Sequence, residues 1–175
     1  MSTTGTSTTT ASNLTAPTQF LEANGEKYAY RRFGQSPGRP ILFLQHFTGT
    51  LDNWDYAVTD PLALGREVIL FDYAGIGRSS GKVPQTIAGM AEHALTFLDG
   101  LGLKNCDVLG FSLGGMVAQQ MVQERPSIFR RMILVGTGPR GASQRLRLKV
   151  RPMVHHIRIP VPMPKNSRVN MRTGS

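Results

Sequence analysis

One stretch near the middle of the chain, residues 108–120, constrains the possible fold more than any other part of the sequence. Its first residues form an apolar run that ends in Gly110-Phe111-Ser112-Leu113-Gly114, and an amphipathic pattern typical of a helix follows at once. Small residues two positions before and two positions after Ser112 permit a cramped strand-to-helix turn that lifts the serine hydroxyl off the backbone. The stretch therefore predicts a buried strand, a sharp corner at Ser112 and then a helix.

The same corner favours a chemical role for Ser112. Glycine and serine are common in turns, so a G-x-S-x-G pattern by itself carries little weight. Here the strand before it and the helix after it supply the context in which the pattern forms a nucleophile elbow. The helix N-terminus would also direct backbone N–H groups and a partial positive charge toward the place where an oxyanion develops. We therefore interpret Ser112 as a nucleophile.

From about residue 19 to residue 141 the chain resembles the α/β-hydrolase superfamily, and it is most similar to the branch of small esterase, peroxidase-like and peptidase-like hydrolases. The resemblance rests on the elbow and on residues 72–79, DYAGIGRS, which match the D-x-x-G-x-G-x-S turn of that family. It implies a partial α/β-hydrolase fold, with a mostly parallel twisted sheet, an N-terminal antiparallel hairpin and helices on both faces. It also implies hydrolysis of an ester or similar acyl bond in a small molecule, with no cofactor and no metal ion.

The resemblance also assigns an oxyanion hole. In this family one backbone donor follows the nucleophile, and the loop after the third strand supplies the second donor. These positions correspond here to the N–H groups of Leu113 and Phe47, with Trp54 as the anchor of the following helix. Gln45-His46 stand where a His-Gly pair is usual, and we interpret His46 as a packing or hydrogen-bonding residue rather than a base.

Hydrophobic periodicity predicts an alternation of strands and helices, which is typical of an α/β fold. The Asn24-Gly25 dipeptide predicts a tight hairpin within residues 20–33. Further strands are expected at residues 41–45, 67–72, 105–111 and 131–136. Helices are expected at residues 52–64 with an interruption near Asp60-Pro61, at residues 85–101 with His93 solvated, and after Ser112 with Met116, Val117, Gln120 and Met121 lining its inner face.

The glycines at residues 72–79 leave two interpretations open, a phosphate-binding loop and a structural turn. A dinucleotide-binding loop should open a helix directly after the first strand, with an acidic residue some twenty positions later. Neither condition is met in this sequence. We expect a structural turn in which the Asp72 side chain caps the backbone.

The remaining parts of a catalytic triad are not recognisable in the sequence. A serine hydroxyl needs a histidine to take its proton and a carboxylate to orient that histidine, in the chain order Ser, acid, His. Glu124 is the only acidic side chain after Ser112, about 18 Å further along the same helix. His155 and His156 follow without an acid before them. We interpret the chain as a truncated or frame-shifted form of a longer hydrolase, with impaired activity.

The basic residues are concentrated at one end of the chain. Residues 125–175 contain twelve of the twenty Lys and Arg residues and none of the eleven acidic residues. We expect a disordered Ser/Thr-rich leader at 1–18, a partial core at 19–143 and a disordered Pro/Arg-rich tail at 144–175.

The basic tail also suggests an alternative function, binding of nucleic acid or an anionic membrane. Arg145, Arg147, Lys149 and Arg151 alternate with Leu146, Leu148 and Val150. Such a patch would give strongly salt-dependent binding. No aromatic residue interleaves with the patch, so we do not expect nucleic acid as a partner.

Several classes of protein are disfavoured by composition. The single cysteine, Cys106, excludes an internal disulfide. The sequence contains no run of eighteen apolar residues, so no membrane span is predicted. The leader has no apolar segment and no arginine, so we expect a cytoplasmic protein. Without further strands, the apolar sixth strand at residues 131–136 would form a sheet edge, which predicts self-association.

Overall fold

The computed structural model describes residues 12–34 and 38–139, together with the backbone of a strand at 154–158. Strands and helices alternate along this part of the chain. The strands are β1 (Gln19–Ala23), β2 (Glu26–Gly34), β3 (Ile41–Leu44), β4 (Glu67–Phe71), β5 (Cys106–Phe111), β6 (Phe129–Val135) and β7 (Val154–Arg158). The helices are α1 (Tyr56–Ala63), α2 (Ile87–Gly100) and α3 (Leu113–Glu124), with short 3-10 turns at Leu51–Asn53 and Pro126–Ile128.

The seven strands form one sheet in the order β1-β2-β4-β3-β5-β6-β7. The four central strands β4, β3, β5 and β6 run parallel, whereas the β1–β2 hairpin and β7 are antiparallel to their neighbours. Because parallel strands end at the same edge, the loops after β3, β4, β5 and β6 meet there. The predicted fold class is confirmed.

The sheet is covered on both faces by apolar clusters. One cluster packs α2 and α3 against the sheet through side chains that include Phe97, Leu98 and Met121. The other lies on the opposite face and joins Phe43, Leu70 and Ala63 of α1. Burial of these two layers is the dominant favourable term in folding such a sheet.

The β1–β2 turn is the predicted hairpin. Asn24 and Gly25 both have positive φ, 50° and 79°. Two positive φ angles in a two-residue loop match the twist of the flanking strands, and asparagine followed by glycine adopts them at low cost. The prediction is confirmed.

Two details of the helices differ from the sequence-based expectation. Pro61 lies inside α1, and the interruption falls earlier, at Trp54 and Asp55, where the Asp55 side chain caps α1 by accepting from the N–H of Ala57. Met116 is 41% exposed and therefore does not face the core. The small residues Gly114, Gly115 and Ala118 are buried on the inner side of α3. The other three residues predicted to line the inner face, Val117, Gln120 and Met121, are buried.

His93 also differs from its expected solvated state. The imidazole is half-buried, and its Nδ1 atom hydrogen-bonds the hydroxyl of Tyr28 at 2.6 Å. Tyr28 is fully buried in β2, and burial, together with the charges of Glu26 and Glu92, raises the pKa of its hydroxyl to about 12. His93 therefore provides the hydrogen-bond partner of the buried Tyr28 hydroxyl.

Part of the expected leader packs against the domain. Asn13 is 4% exposed, its N–H donates to Asp60, and its amide donates to the carbonyl oxygen of Trp54. Ala16 joins the apolar cluster on the α1 face. The prediction of disorder is therefore wrong for residues 12–18, whereas residues 1–11 lie outside the described residues.

The sixth strand is not an edge. β7 pairs antiparallel with β6, with Val135 opposite Val154 and Leu134 opposite His155. The expected disorder of residues 144–175 is therefore wrong for 154–158, and the other residues of that segment lie outside the described part of the chain.

The amino-terminal end of the central strand β5 carries a buried thiol and a buried ion pair. Cys106 and Asp107 are 0% and 1% exposed. Arg66 and Arg130 both bind the Asp107 carboxylate, at 2.6 Å and 2.8 Å. Burial itself disfavours ionisation of this carboxyl, but the hydrogen bonds from Arg130 and Arg66 outweigh it and lower the pKa of Asp107 below its ordinary value.

Candidate active site

Ser112 lies at the corner between β5 and α3 in a conformation that serine rarely adopts. Its φ and ψ are 52° and −114°, and its backbone N–H donates to the carbonyl oxygen of Val135 at 2.9 Å. The side chain does not cap α3, although Ser112 occupies the N-cap position. A backbone strained in this way persists only when its surroundings impose it, and such strain is concentrated at functional sites. The half-buried hydroxyl is therefore unengaged by the helix that begins beside it.

Three glycines make this corner possible because each lies against backbone or side-chain atoms. A Cβ atom on Gly110 would lie 2.4 Å from the carbonyl oxygen of Gly114, and one on Gly115 would lie 2.4 Å from Thr137. A Cβ atom on Gly114 would lie 2.0 Å from the carbonyl oxygen of Leu44 at the end of β3. The start of α3 is therefore pressed against the end of β3, and this close approach brings the loop after β3 to the serine corner.

The loop after β3 is held by the buried side chain of Gln45. Its Oε1 atom accepts from the N–H of His46, and its Nε2 atom donates to the carbonyl oxygen of Thr50. The N–H of Gly49 donates to the carbonyl oxygen of His46, and Thr48 has a φ of 66°. These features define a turn with a positive φ at its third residue, as in a type II turn. With Gln45-His46 in place of the usual His-Gly pair, hydrogen bonds within the loop therefore hold its backbone in place.

His46 itself forms packing and hydrogen-bonding contacts. Its Nδ1 atom bonds the carbonyl oxygen of Phe47, so this nitrogen carries the proton. The ring packs edge-on against Phe111, with 5.5 Å between the ring centroids. These contacts agree with the interpretation of His46 as a packing and hydrogen-bonding residue.

Two backbone donors at this corner have no acceptor among the described residues. Leu113 is the first residue of α3, where the N–H has no intrahelical partner. The N–H of Phe47 likewise donates to no described acceptor, while the carbonyl groups on either side of it are engaged by Gly49 and His46. Phe47 and Leu113 border the same cavity.

That cavity has a volume of about 520 Å³ and lies between the loop after β3, the turn after β4 and the start of α2. Its apolar wall is formed by Ile76, Val83, Pro84, Ile87, Met90 and Leu113. Tyr73 also borders it. A cleft of this size, with an apolar lining and a few polar groups, is typical of a small-molecule site. Sequence analysis did not identify Tyr73, which appeared only as a variable position in the glycine-rich turn.

The turn after β4 is structural, as predicted, and Asp72 joins it to the neighbouring loop. Its carboxylate accepts from the N–H of Arg78 at 2.9 Å within the turn, and from the N–H of Leu51 at 2.7 Å in the loop after β3. A Cβ atom on Gly77 would lie 2.2 Å from this carboxylate. Burial raises the pKa of Asp72, although both backbone bonds favour its charged form. The contact with Leu51 shows that this carboxylate also fixes the loop that carries Phe47.

Among the described side chains, no histidine or carboxylate completes a catalytic triad at Ser112. Glu124 lies at the far end of α3 and is bonded by the amide of Gln120. His155 and His156 lie in β7 opposite Leu134 and Ile133, and their side chains are outside the described residues. In the described part of the chain, no three His, Cys, Asp or Glu side chains cluster as metal ligands, and no helix has the length and apolar character of a membrane span.

A family model and a solved structure both match this chain to the alpha/beta hydrolase fold. A family model described as alpha/beta hydrolase fold matches residues 39–158. An alpha/beta hydrolase fold protein from Chitinophaga pinensis superposes with a TM-score of 0.73 at 48% sequence identity, covering 75% of this chain and 48% of that one.

Curated relatives have several activities. The dihydrolipoyllysine-residue acetyltransferase component of an acetoin cleaving system from Cupriavidus necator is 37% identical over 109 residues, which are 62% of this chain and 29% of the relative. A putative carbamate hydrolase, RutD, from Pseudomonas savastanoi is 34% identical over 105 residues, which are 58% of this chain and 40% of the relative. The chain thus spans less than half the length of either relative.

Proposed function

Because the chain belongs to the α/β-hydrolase family, we propose that it is a serine hydrolase of esters or similar acyl compounds. Ser112 is the nucleophile, and the backbone N–H groups of Phe47 and Leu113 are the oxyanion donors. The tetrahedral oxygen that forms on attack would accept hydrogen bonds from both, and each such donor contributes on the order of a hundredfold to a thousandfold in rate.

One observation carries the proposal most strongly, the strained backbone of Ser112 beside unpartnered N–H donors. The positive φ of this serine requires three closely packed glycines, and the hydroxyl forms no cap on its own helix. A serine serving only as a turn residue would ordinarily use its side chain as a helix cap. Backbone strain combined with an unused hydroxyl is the arrangement that a nucleophile elbow requires.

The described residues acting alone would hydrolyse an ester only slowly. Attack by Ser112 on the ester carbonyl transfers the hydroxyl proton to a base, and collapse of the tetrahedral intermediate breaks the ester C–O bond and releases the alcohol with that proton. Water then hydrolyses the acyl-serine, which releases the acid and restores the hydroxyl. The described side chains bring no histidine with a carboxylate partner to Ser112. With nucleophile, oxyanion donors and binding alone, we expect a rate roughly 10³ to 10⁴ above water. A full rate requires a base and an acid from residues beyond those described.

The relatives support acyl chemistry without selecting the acyl group. One is an acetyltransferase component and the other a putative carbamate hydrolase, and both chemistries involve attack on a carbonyl carbon. The fold supports many such reactions, so the substrate has to be sought in the cavity itself.

A fluorophosphonate probe tests the proposal directly. Folded wild-type protein should gain one covalent phosphonyl group, located by peptide mass spectrometry on Ser112. The Ser112→Ala variant and heat-unfolded wild-type protein should remain unlabelled. If the folded protein does not react while its circular dichroism spectrum shows native structure, the proposal fails and the chain is a non-catalytic member of its family.

A further inference from the structure

Gln45, the first residue after β3, has a polar side chain that is buried inside the loop. The residue is 1% exposed. Its Oε1 atom accepts from the N–H of His46 at 2.9 Å, and its Nε2 atom donates to the carbonyl oxygen of Thr50 at 3.1 Å. Such bonds are costly to break in a buried place, because each freed polar group would stay unpaired. One amide therefore joins the beginning and the end of the turn that carries Phe47.

Thr50 is a firm attachment point for this amide. Its N–H donates to the Asn53 side chain at 2.7 Å, and its own side chain caps the short 3-10 turn that follows. The N–H of the next residue, Leu51, donates to the buried Asp72 carboxylate at 2.7 Å. The bond from Gln45 to Thr50 therefore ties the turn to a part of the chain that is itself fixed on the domain.

The backbone of Gln45 contacts the helix that carries the other proposed oxyanion donor. A Cβ atom on Gly114 would lie 2.7 Å from the carbonyl oxygen of Gln45, and Gly114 directly follows Leu113 at the start of α3. On the side of the turn, a Cβ atom on Gly49 would lie 2.2 Å from the Cγ atom of Gln45. The turn can close over this side chain only because residue 49 has none. Gln45 thus packs against the segments of both donors.

Gln45 also determines which amide of the loop is free. It occupies the N–H of His46, and the carbonyl oxygen of His46 accepts from the N–H of Gly49. The N–H of Phe47, which lies between these two bonds, has no acceptor among the described residues. Removal of the Gln45 amide would release the His46 N–H and free the turn to change its path.

We propose that Gln45 is a positioning residue for the oxyanion hole, which holds the N–H of Phe47 in place relative to the N–H of Leu113. Gln45 acts through the backbone of the turn and does not touch the substrate. Donors of this kind are effective because they are held in place before charge develops and need no reorganisation during the reaction. This inference rests on the proposed hydrolase function, since it takes Phe47 and Leu113 as the donors.

The variants Gln45→Met and Gln45→Leu test the proposal, because both keep an apolar side chain of similar size and form neither hydrogen bond. The probe is a fluorophosphonate. In its reaction the Ser112 oxygen bonds to phosphorus, fluoride leaves, the hydroxyl proton passes to the solvent, and negative charge grows on the phosphonyl oxygen. Since one oxyanion donor contributes on the order of a hundredfold to a thousandfold, we expect the rate constant at saturating probe to fall by at least about tenfold. The probe concentration that gives half the maximal rate should not change.

Two controls separate a displaced donor from a damaged fold. Gln120→Leu removes another buried glutamine, which bonds Glu124 along α3, and should leave the rate constant unchanged. The second control uses the Ser112→Cys background, in which iodoacetamide alkylates the introduced thiol while the native Cys106 is buried. That reaction displaces iodide and develops no charge on a carbonyl oxygen. Adding Gln45→Met should therefore leave the alkylation rate unchanged.

Two results would overturn the inference. One is an unchanged phosphonylation rate in both Gln45 variants, and the other is an equal loss of phosphonylation and alkylation, which would show that Gln45 only maintains the corner. In either case, labelling of Ser112 in wild-type protein would still support the hydrolase proposal. Absence of labelling in folded wild-type protein would instead remove the hydrolase proposal and this inference together.

Discussion

The backbone of Gly114 lies against the carbonyl oxygen of Leu44, so closely that a Cβ atom on Gly114 would lie only 2.0 Å from it. The second glycine of the G-x-S-x-G pattern is therefore required by contact between two elements that are distant in sequence. It joins the start of α3 to the end of β3, and in doing so it brings the loop that carries Phe47 to the corner at Ser112.

Replacing Gly114 by alanine should therefore disrupt the corner. The methyl group would push α3 away from β3, and overpacking of this kind costs about 1–3 kcal/mol of stability. We expect a lower midpoint in urea unfolding and loss of fluorophosphonate labelling. Gly65→Ala is the control, because a Cβ atom there meets nothing within 4 Å. Equal stability of the two variants would contradict the close contact.

Ser112→Gly should be more stable than Ser112→Ala. The site has a positive φ, which glycine adopts freely and alanine does not. Relief of a strained residue is worth about 1–3 kcal/mol, which exceeds the usual penalty of glycine in the unfolded chain. Urea unfolding of the two variants measures the difference, and a more stable alanine variant would show that the corner is not strained.

Two of the buried tyrosines, Tyr28 and Tyr73, should respond in opposite ways to loss of their hydroxyl groups. Tyr28→Phe removes a bond of 2.6 Å to His93 and should lower the free energy of unfolding by about 1 kcal/mol. Tyr73→Phe removes a buried hydroxyl without a partner, so we expect equal or higher stability of the ligand-free protein. Thermal unfolding of both variants without ligand makes the comparison, and a clear loss of stability in Tyr73→Phe would reveal a partner for its hydroxyl.

Asp107 should make the protein sensitive to acid. Its folded-state pKa is lowered because the bonds from Arg130 and Arg66 outweigh its burial. A depressed pKa contributes stability above the unfolded value of about 3.9, and this contribution is lost as the pH falls through the folded-state pKa. The Asp107→Asn variant should be less stable at neutral pH and should lose less stability between pH ~6 and pH ~3 than wild type. Parallel pH profiles of urea unfolding would contradict this.

Removal of the seventh strand should promote association. β7 covers β6, whose residues Met132, Ile133 and Leu134 are apolar, and an uncovered apolar edge pairs readily with other chains. A chain ending at residue 143 should elute as larger species in size-exclusion chromatography with light scattering. The substitution Ile157→Pro, which removes one N–H from β7, should shift the same profile less far. A monomeric truncated chain would show that β6 needs no cover.

Local sequence patterns were sufficient to predict most of the strands and the corner at Ser112. Alternation and turn residues such as Asn24-Gly25 encode short-range geometry, so the hairpin and the central strands could be found. The features that failed depend on contacts distant in sequence. Asn13 is ordered by Asp60 and Trp54, and Met116 is exposed because the glycines of α3 face the core.

The site was predictable to the same extent. Ser112 is a candidate because of the local G-x-S-x-G pattern, and Phe47 and Leu113 are candidates because of the resemblance to the α/β-hydrolase family; their roles stay predictions. The cavity could not be read from the sequence, because its walls come from three separate segments that meet only in the folded sheet. Tyr73 borders this cavity because the turn after β4 meets the other segments there, which the sequence does not show.

The one thiol of the chain provides a natural reporter. Cys106 is fully buried at the start of a central strand, and burial, with the charge of Asp107, raises the pKa of its sulfhydryl to about 12. The thiolate is the form that attacks alkylating reagents, so Cys106 in the folded chain is protected both by its burial and by its raised pKa. The rate of Cys106 alkylation therefore measures how often the centre of the sheet opens, with no engineered label.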